Sequence, residues 1–451
     1  MNNINKQIQK EEEIFNLLKN NTDGSFLSKL FEPFMEIENR SLRFAVYLFK
    51  KQVLNISKIR FERIKYVFFY CLNLLKLKIL SKFRKIRVGF WVTEEAKWVN
   101  SLLYEELKND SHFEPFILLG NFSKPQGNDP VEHYKKTRDF FKKNGMKIYN
   151  TYDTVKNEFK DLNKFKADII FYQQPWMIPD SQKPDKTYKK SLLCYVPYCF
   201  YSMDSYVNYL AKFQGIMWKY FVETNFHKNE YEKLYEAKNC IVSGSAKLDA
   251  YHSINKEKTD DKKRIIYAPH HSFNDGIHEV ATFRENGKFI LELAEQYSDI
   301  EWIFRPHPLF IDRILKNSIM TEDEIKDYYD KWDKIGKIST EGNYYEMFYR
   351  SDALITDCIS FLSEYAPTLK PVFHLRKDYQ KDRFNNIVNK LDEGYYQIYS
   401  NGELEETFKK VIIQGDDYLK EKRKENKIVL PQDSLAGKNI YEYIKKELNI
   451  K

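Results

Sequence analysis

Polar side chains able to hold a phosphate follow three predicted strands in the second half of the chain. They are His270, His271 and Ser272 after Ile265–Tyr267, Arg305 and His307 after Trp302–Phe304, and Thr356, Asp357, Ser360 and Glu364 after Ala353–Ile355. Open α/β sheets bind ligands beyond the carboxyl ends of their strands, so we expect these side chains to share one rim. Arginine binds two phosphate oxygens at once, and an imidazolium neutralises a leaving phosphate. The pattern therefore predicts a diphosphate site.

The stretch Ala353–Leu375 predicts a strand, a tight turn, a short helix and a second strand. Thr356 and Asp357 stand where the helix begins, so we expect one of them to cap it. The positive end of such a helix favours an anion. Ser360 and Glu364 are four residues apart and share one helical face, in an order that suits a phosphate followed by a ribose. The alternative is an ordinary capped helix.

Each loop also has a simpler interpretation by itself. An arginine at a strand end is usually a surface charge, and a histidine between prolines often satisfies a backbone carbonyl. Metal binding by His270, His271 and His307 is a sharper alternative. Because no carboxylate-rich set accompanies them and adjacent histidines rarely aim both rings at one ion, we expect no metal.

Length and composition narrow the class of protein. The 451 residues predict two domains with extensions. The net charge of +8 does not by itself indicate a nucleic-acid partner, and we expect none. The five cysteines are odd in number and lack CxxC spacing, which favours a reducing cytoplasm. The polar N-terminus does not predict a signal peptide.

The pattern of elements predicts an α/β fold with two Rossmann-like domains facing across a cleft. Strands and helices alternate from Lys85, and a second alternation begins at Arg264. We expect a helical extension over 1–84, an N-terminal acceptor domain over 85–238 and a C-terminal nucleotide-donor domain over 239–438. The amphipathic tail 439–451 is predicted to cross back to the first domain.

The extension ends in a stretch that predicts membrane association. Tyr66–Leu80 is apolar and aromatic, but it is too short and too interrupted to span a bilayer. Basic residues follow at 76, 78, 82, 84, 85 and 87. Such a helix suits the interface of an anionic membrane. The alternative is a helix packed across the first domain with its basic end in water. Further helices are predicted at 11–19, 26–38 and 42–61.

Four segments together carry a family resemblance. YAPHHS, RPHP, TDCISFLSEYAPTLKPVFHL and the late Asp433–Lys438 resemble the C-terminal half of the CDP-glycerol glycerophosphotransferases, the teichoic-acid primase and polymerase family. The similarity spans Asn239–Lys446. It implies a GT-B-like fold, a CDP-activated polyol phosphate as donor, no required cofactor and work at the inner face of the cytoplasmic membrane.

The resemblance also implies roles for the residues of the second domain. His307 would bind or protonate the departing phosphate and Arg305 would steady the anion. Thr356, Asp357 and Ser360 would surround the diphosphate, with His270, His271 and Ser272 on the donor side, and Glu364 would take the ribose hydroxyls. Gly244–Lys247 stands where the family has a Gly-x-Pro-Arg turn, and the proline is missing here.

The first half departs from the family pattern. The family carries a His-Gly-Thr-Pro segment whose histidine is the proposed base, but the corresponding Tyr195–Phe200 has no histidine. A carboxylate after the first strand, Glu94 or Glu95, is our candidate base, and Asp204 is a weaker one. The simpler interpretation of Glu94 is a charge at a helix start. Lys97 and Trp98 are expected to contact the acceptor or the donor, and Tyr198 is expected on the acceptor side.

These patterns lead to one preferred function and two alternatives. The first is transfer of glycerol phosphate or ribitol phosphate from a CDP-linked donor to a hydroxyl of a surface glycan or lipid-linked acceptor. The second is a glycosyltransferase that uses a nucleotide-sugar in capsule or surface polysaccharide synthesis, which the missing base motif favours. The third, a non-catalytic glycan- or nucleotide-binding scaffold, is disfavoured because three polar loops converge on one rim.

Overall fold

The computed structural model describes residues 63–123, 130–199, 207–235, 238–252, 254, 260–274, 279–340, 344–377, 384–430 and 435–450. The chain divides into two compact units, Met1–Lys65 and Tyr66–Lys451, and the second is described here. The helices predicted at 11–19, 26–38 and 42–61, together with Asp204, Asp433 and Ser434, lie outside the described residues.

A parallel sheet forms the centre of the first half. The strands of this half are β1 (Ile86–Val92), β2 (Phe113–Leu119), β3 (Ile148–Asn150), β4 (Tyr152–Asp153), β5 (Glu158–Phe159), β6 (Ile169–Tyr172), β7 (Leu192–Tyr195), β8 (Lys219–Val222) and β9 (Cys240–Val242). Seven of the strands in the described part pair in the order β3-β2-β1-β6-β7-β8-β9, while β4 and β5 form a small antiparallel pair. The central strands are apolar runs because both of their faces are buried.

Helices cover this sheet. They are α1 (helical over 66–80), α2 (Ser101–Asn109), α3 (Pro130–Lys143), α4 (Pro184–Thr187), α5 (Val207–Ile216) and α6 (Asn225–Tyr235). One face of α1 packs on the sheet layer, where Tyr70 and Leu77 are buried. Its ring neighbours include Tyr188, whose centroid lies 4.9 Å from that of Tyr66. No helix in the described part of the chain has the length and apolar character needed to cross a bilayer.

The second half repeats the plan. Its strands are β10 (Arg264–Ala268), β11 (Glu301–Phe304), β12 (Lys337–Ile338), β13 (Ala353–Thr356), β14 (Val372–Leu375) and β15 (Tyr396–Ile398), paired in parallel in the order β12-β11-β10-β13-β14-β15. Its helices are α7 (Phe283–Gln296), α8 (Phe310–Lys316), α9 (Glu322–Ile335), α10 (Tyr345–Arg350), α11 (Ile359–Tyr365), α12 (Asn386–Asp392), α13 (Asn401–Phe408) and α14 (Lys420–Glu425). The predicted α/β class with two Rossmann-like sheets is confirmed.

The register of the second sheet brings the three polar loops together. Tyr267 of β10 pairs with Phe304 of β11, and the next residue, Ala268, pairs with Thr356 of β13. The three strands therefore end at nearly the same level, and their loops leave the sheet side by side.

The last helix, α15 (Ala436–Leu448), packs on the first half of the chain. Gly437 is in such close contact that a Cβ atom there would lie 2.7 Å from the Leu103 backbone nitrogen. The Tyr441 hydroxyl donates a hydrogen bond of 2.8 Å to Asp110. At the start of the helix, the N–H groups of Ala436 and Gly437 donate to the Asp249 carboxylate at 2.7 and 2.8 Å.

Candidate functional site

Three imidazoles are stacked where β10 and β11 end. The ring centroids of His271 and His307 lie 3.7 Å apart at an angle of 21°, and the His270 ring lies 4.3 Å from that of His271. The Leu309 N–H donates to His307 Nδ1 at 3.1 Å. The proton of the neutral His307 ring is therefore assigned to Nε2, which makes that atom a hydrogen-bond donor.

Burial keeps two of these rings neutral in the free protein. It lowers the pKa of His307 to about 3, and the neighbouring His271 and Arg305 act in the same direction. The pKa of His270 is also lowered well below its usual value, mainly by burial and then by the other two histidines. A bound phosphate would oppose these effects because its negative charge favours the protonated ring. A charged His307 would also carry a proton on Nδ1, so gaining charge requires the hydrogen bond from the Leu309 N–H to break.

The buried side chains of Asp357 and Thr356 form hydrogen bonds that hold the loops after β10 and β13 together. Asp357 accepts from the His270 N–H at 2.6 Å with one oxygen, and from the Thr282 N–H and hydroxyl at 2.6 and 2.9 Å with the other. The Thr356 hydroxyl donates to the Ala268 carbonyl at 2.6 Å and accepts from the Cys358 N–H. The expectation that either residue caps α11 is wrong, because the N-cap is Cys358 and makes no side-chain cap. The Asp357 side chain holds the backbone of His270 instead, and the Thr356 side chain joins the end of β10 to the start of α11.

Glu364 is a second buried carboxyl of this site, with 3 % of its surface exposed. The Tyr344 hydroxyl donates a hydrogen bond to its carboxylate. Burial raises the pKa of Glu364, while Lys247, Tyr344 and Arg305 oppose that rise. The Arg305 guanidinium lies 4.7 Å from the centre of the Tyr344 ring and donates to the Ser339 hydroxyl at 3.0 Å. Tyr344 thereby links Arg305 to Glu364.

Tyr344 and Thr282 were missed by reasoning from the sequence. Neither belongs to a recognisable motif, and Tyr344 stands twenty residues before its partner Glu364. Thr282 precedes α7, far along the chain from Asp357. No local pattern could have identified either contact, because both depend on how the strands of the sheet are ordered.

The predicted turn at Gly244–Lys247 lies beside Glu364. Gly244 has a φ of +92°, a backbone conformation that favours glycine. The Lys247 ammonium is 5.9 Å from the centre of the Tyr344 ring, and its charge lowers the pKa of Glu364. Ser360 is half-buried on α11, and its hydroxyl lies 3.4 Å from the Cys358 sulfur.

Side chains of the first half lie opposite this rim. Burial raises the pKa of the Cys199 thiol to about 12; the charge of Glu364 raises it further, whereas the charges of Lys247 and Lys97 lower it. The loop after β7 therefore lies close to both Glu364 and Lys97. The Lys97 ammonium is 5.3 Å from the centre of the Tyr198 ring, donates to Gln174 at 3.1 Å and forms an ion pair with Glu94.

The two candidate bases differ in their surroundings. Burial alone would raise the pKa of Glu95, but hydrogen bonds from Lys136 and Thr137 outweigh it and the pKa is lowered. Glu95 is thereby held against α3. Glu94 is bonded instead to Lys97, on the side where Lys97 meets Tyr198. Of the two carboxylates, Glu94 is therefore the one that lies on the side of Lys97 and Tyr198.

Trp98 does not lie with these residues. Its ring packs against Phe90 and Phe141, with centroid distances of 5.5 and 5.1 Å. The structure places it at the edge of the hydrophobic core, and its predicted contact with the acceptor has no support in this geometry.

Among the described residues, no cluster of three or more His, Cys, Asp or Glu side chains could hold a metal ion. The stacked rings of His271 and His307 are nearly parallel, so their nitrogens do not converge on one point.

Comparison with known proteins identifies the family. The profile of the CDP-glycerol:poly(glycerophosphate) glycerophosphotransferase family matches residues 211–446, which is more than half of the chain. The chain belongs to this family. It is a CDP-glycerol glycerophosphotransferase-like transferase, and the matched region includes every donor-side residue described above. No curated protein matches the chain at a significant level.

Solved structures place this glycerophosphotransferase-family chain in the GT-B-like fold. It resembles the S. aureus MnaA–UDP complex with a TM-score of 0.54 and 16 % identity, covering 81 % of this chain and 97 % of that one. It also resembles the UDP-GlcNAc 2-epimerase of Neisseria meningitidis bound to UDP-GlcNAc, with a TM-score of 0.54 and 15 % identity, covering 80 % of this chain and 99 % of that one.

A variant of the wall teichoic acid polymerase TagF gives a TM-score of 0.54 and 13 % identity, covering 88 % of this chain and 98 % of that one. The same polymerase soaked with CDPG gives 0.50 with the same identity and coverage. The predicted family and GT-B-like fold class are thus confirmed. The predicted start of the second domain at residue 239 does not match the sheets, because β9 (Cys240–Val242) pairs with β8 in the first sheet.

Proposed function

We propose that this protein transfers glycerol phosphate or ribitol phosphate from a CDP-linked donor to a hydroxyl of a cell-surface glycan or a lipid-linked acceptor. The observation that carries the proposal is the His271–His307 stack beside Arg305, on the same sheet edge as the buried Glu364. The family match over these residues and the CDPG-soaked relative support a CDP-linked donor.

The reaction is a displacement at the phosphorus that carries the polyol. The acceptor oxygen forms a bond to this phosphorus, the P–O bond to CMP breaks, and the acceptor proton passes to Glu94. Arg305 and the Nε2–H of His307 donate to the phosphate oxygens of the departing CMP, where negative charge develops. Glu364 accepts from the ribose hydroxyls. Asp357 takes no part in bond breaking and holds the His270 loop in place.

The nucleotide-sugar alternative rests on the absence of a histidine in Tyr195–Phe200. A thermal-shift panel with CMP, CDP-glycerol, CDP-ribitol and UDP-sugars separates the functions, because a ligand that binds the native state raises the unfolding temperature. Stabilisation by CMP and a CDP-polyol supports the proposal, and preference for UDP-sugars supports the alternative. No shift with any of them would indicate a scaffold. Mass spectrometry of the product then identifies the transferred group.

Peripheral binding to an anionic membrane completes the proposal. The outer face of α1 exposes Phe68, Leu72, Leu75 and Ile79, with Phe83 just beyond the helix, at 47–79 % of their surface. The basic residues between 76 and 87 border this apolar stripe. Apolar contact with the acyl boundary and attraction to anionic lipids would act together. The cytoplasmic leaflet is the surface that offers such lipids.

A further inference from the structure

A histidine of the first half lies beside the candidate base and has no role in the proposed transfer. His133 stands near the start of α3, where its ring stacks on that of Phe122 with centroids 5.6 Å apart and an angle of 27°. Phe122 follows β2, and His133 Nε2 lies 3.2 Å from the carbonyl oxygen of Thr93, the residue between β1 and Glu94. The ring is therefore placed at the edge of the first sheet where parallel strands end and ligands bind.

The contact with Thr93 gives the two ring nitrogens different roles. A carbonyl oxygen can only accept a hydrogen bond, so Nε2 must carry a hydrogen atom. In the neutral ring Nδ1 then keeps a lone pair and acts as an acceptor. Nδ1 has no hydrogen-bond partner among the described residues, and it is not buried. The structure thus presents an accessible acceptor atom next to the backbone that carries Glu94.

Contacts continue from this ring toward the donor rim. The Lys97 ammonium lies 5.2 Å from the centre of the Phe122 ring and 5.3 Å from that of Tyr198. Lys97 also forms the ion pair with Glu94. Tyr198 belongs to the loop after β7, which lies close to the donor rim. These five residues, His133, Phe122, Lys97, Glu94 and Tyr198, form one continuous surface, which we call the acceptor wall.

The charges of the acceptor wall are paired, which disfavours a phosphate there. A phosphate is held mainly by arginine and lysine side chains that are free to donate to it. Here the Lys97 ammonium is bonded to Glu94, and α3 begins with another carboxylate, Glu132. The wall offers instead aromatic rings, a carboxylate and the Nδ1 atom of His133. Aromatic faces with a few polar groups suit a neutral ring that carries hydroxyls.

We propose that His133 binds the acceptor through Nδ1, and that the acceptor end at this wall is a neutral sugar of a glycan. One hydroxyl of the sugar gives its proton to Glu94, and a second hydroxyl donates a hydrogen bond to His133 Nδ1. The half-buried ring of Tyr198 meets the C–H groups of the sugar. This inference rests on the proposed function, because it takes the ligand of the acceptor wall to be the acceptor of that transfer.

The simpler interpretation is that His133 only holds the Thr93 carbonyl, and two amide substitutions separate these roles. In His133→Gln the side-chain nitrogen reaches the position of Nε2 and keeps a donor for Thr93, but no acceptor remains at Nδ1. In His133→Asn the side-chain oxygen takes the position of Nδ1 and keeps the acceptor, but the bond to Thr93 is lost. His112 lies outside the wall, bonded to Asp110 just before β2, so His112→Gln is the matched control.

Saturation-transfer difference NMR measures acceptor binding without requiring turnover. The protein is saturated with CMP, and the probes are hexyl glycosides of glucose, galactose, N-acetylglucosamine and N-acetylgalactosamine, with hexyl tri(glycerol phosphate) for comparison. At least one glycoside should bind more tightly than the phosphate chain. His133→Gln should weaken its binding about five- to tenfold because one hydrogen bond is lost, whereas His133→Asn should change it by less than about threefold. The His112→Gln variant should bind as the unchanged protein does.

Three outcomes would overturn the inference. They are no binding of any glycoside at millimolar concentration, tighter binding of the glycerol phosphate chain, and a larger loss in His133→Asn than in His133→Gln. The last outcome would show that the imidazole acts only through Thr93. Release of CMP from CDP-glycerol with the same glycosides is measured alongside. Glycoside binding in the expected order without any transfer would contradict the proposed reaction and support this site.

Discussion

The imidazole rings of His271 and His307 lie face to face, 3.7 Å apart, with His270 against the same pair. Rings this close repel each other when both are charged, and burial adds to that penalty. In the free protein the ring of His307 is therefore neutral near pH 7, because its pKa is lowered to about 3. A diphosphate removes the penalty by placing negative charge beside the stack.

Binding of the donor should therefore take up protons. Calorimetry with CDP-glycerol at pH 6.5, in buffers of different ionisation enthalpy, should give a measurable uptake of protons, below one proton per molecule bound. The donor itself has no group that titrates near this pH, so the proton must go to the protein. Replacing His307 by asparagine should reduce the uptake. An uptake of zero in the unchanged protein would mean that the rings stay neutral and act only as hydrogen-bond donors.

The same lowered pKa predicts how stability depends on pH. The unfolded His307 has an ordinary pKa near 6.5, so between that value and about 3 the unfolded state binds more protons than the native state. Stability is thus fully present above about pH 6.5 and falls as the pH decreases. The loss attributable to this ring between pH 6.5 and pH 5 is about 1.6 kcal/mol. Urea unfolding of the unchanged protein and of His307→Asn should show it as a shallower pH dependence in the variant; parallel curves would contradict it.

The adjacent residues Glu94 and Glu95 offer a matched test of the base. Glu94 bonds to Lys97, near Tyr198 and the cleft, whereas Glu95 is held by Lys136 and Thr137. Glu94→Gln should lower kcat by about 10²–10⁴-fold, the usual contribution of a general base. The Glu95→Gln variant, which lacks only the neighbouring carboxylate, should retain most of the kcat of the unchanged protein. Equal rates for the two variants would show that another group acts as the general base.

Tyr344 should act on the donor through Glu364. Tyr344→Phe removes a hydrogen bond to the Glu364 carboxylate, and Tyr251→Phe removes one of 2.7 Å to the carbonyl of the same residue. Each change should cost about 1 kcal/mol of stability. Only Tyr344→Phe should raise the KM for the donor, by about tenfold, with kcat little changed, because only it frees the carboxylate that we propose to bind the ribose. If both variants raise KM equally, the effect is structural and Tyr344 has no positioning role.

The sequence predicted the donor half better than the acceptor half, for a physical reason. Loops after parallel strands must share one edge of the sheet, so the meeting of His270, His307 and Asp357 followed from strand order alone. The role of Asp357 could not be predicted from strand order, because its carboxylate accepts a hydrogen bond from Thr282 inside the domain. The sequence placed Trp98 on a loop near the predicted site, but in the structure its apolar ring packs against Phe90 and Phe141. Contacts such as Tyr344 with Glu364 join distant segments and leave no local pattern.

The two faces of α1 allow membrane binding to be tested without disturbing the fold. Tyr70 and Leu77 are buried on the inner face, so deleting the helix would expose the core of the first half. On the outer face Leu75 is 61 % exposed and Ile79 is 62 % exposed.

Substituting both Leu75 and Ile79 by glutamine should therefore leave the unfolding temperature nearly unchanged but reduce sedimentation with vesicles containing phosphatidylserine. A control at Val155, which is 93 % exposed on the β4–β5 turn, removes an exposed apolar side chain that is not part of α1; Val155→Gln should bind vesicles as the unchanged protein does. Binding should also weaken with salt, because each lysine or arginine near the surface contributes about 1 kcal/mol at moderate ionic strength. Undiminished sedimentation of the double variant would show that α1 is not the membrane contact.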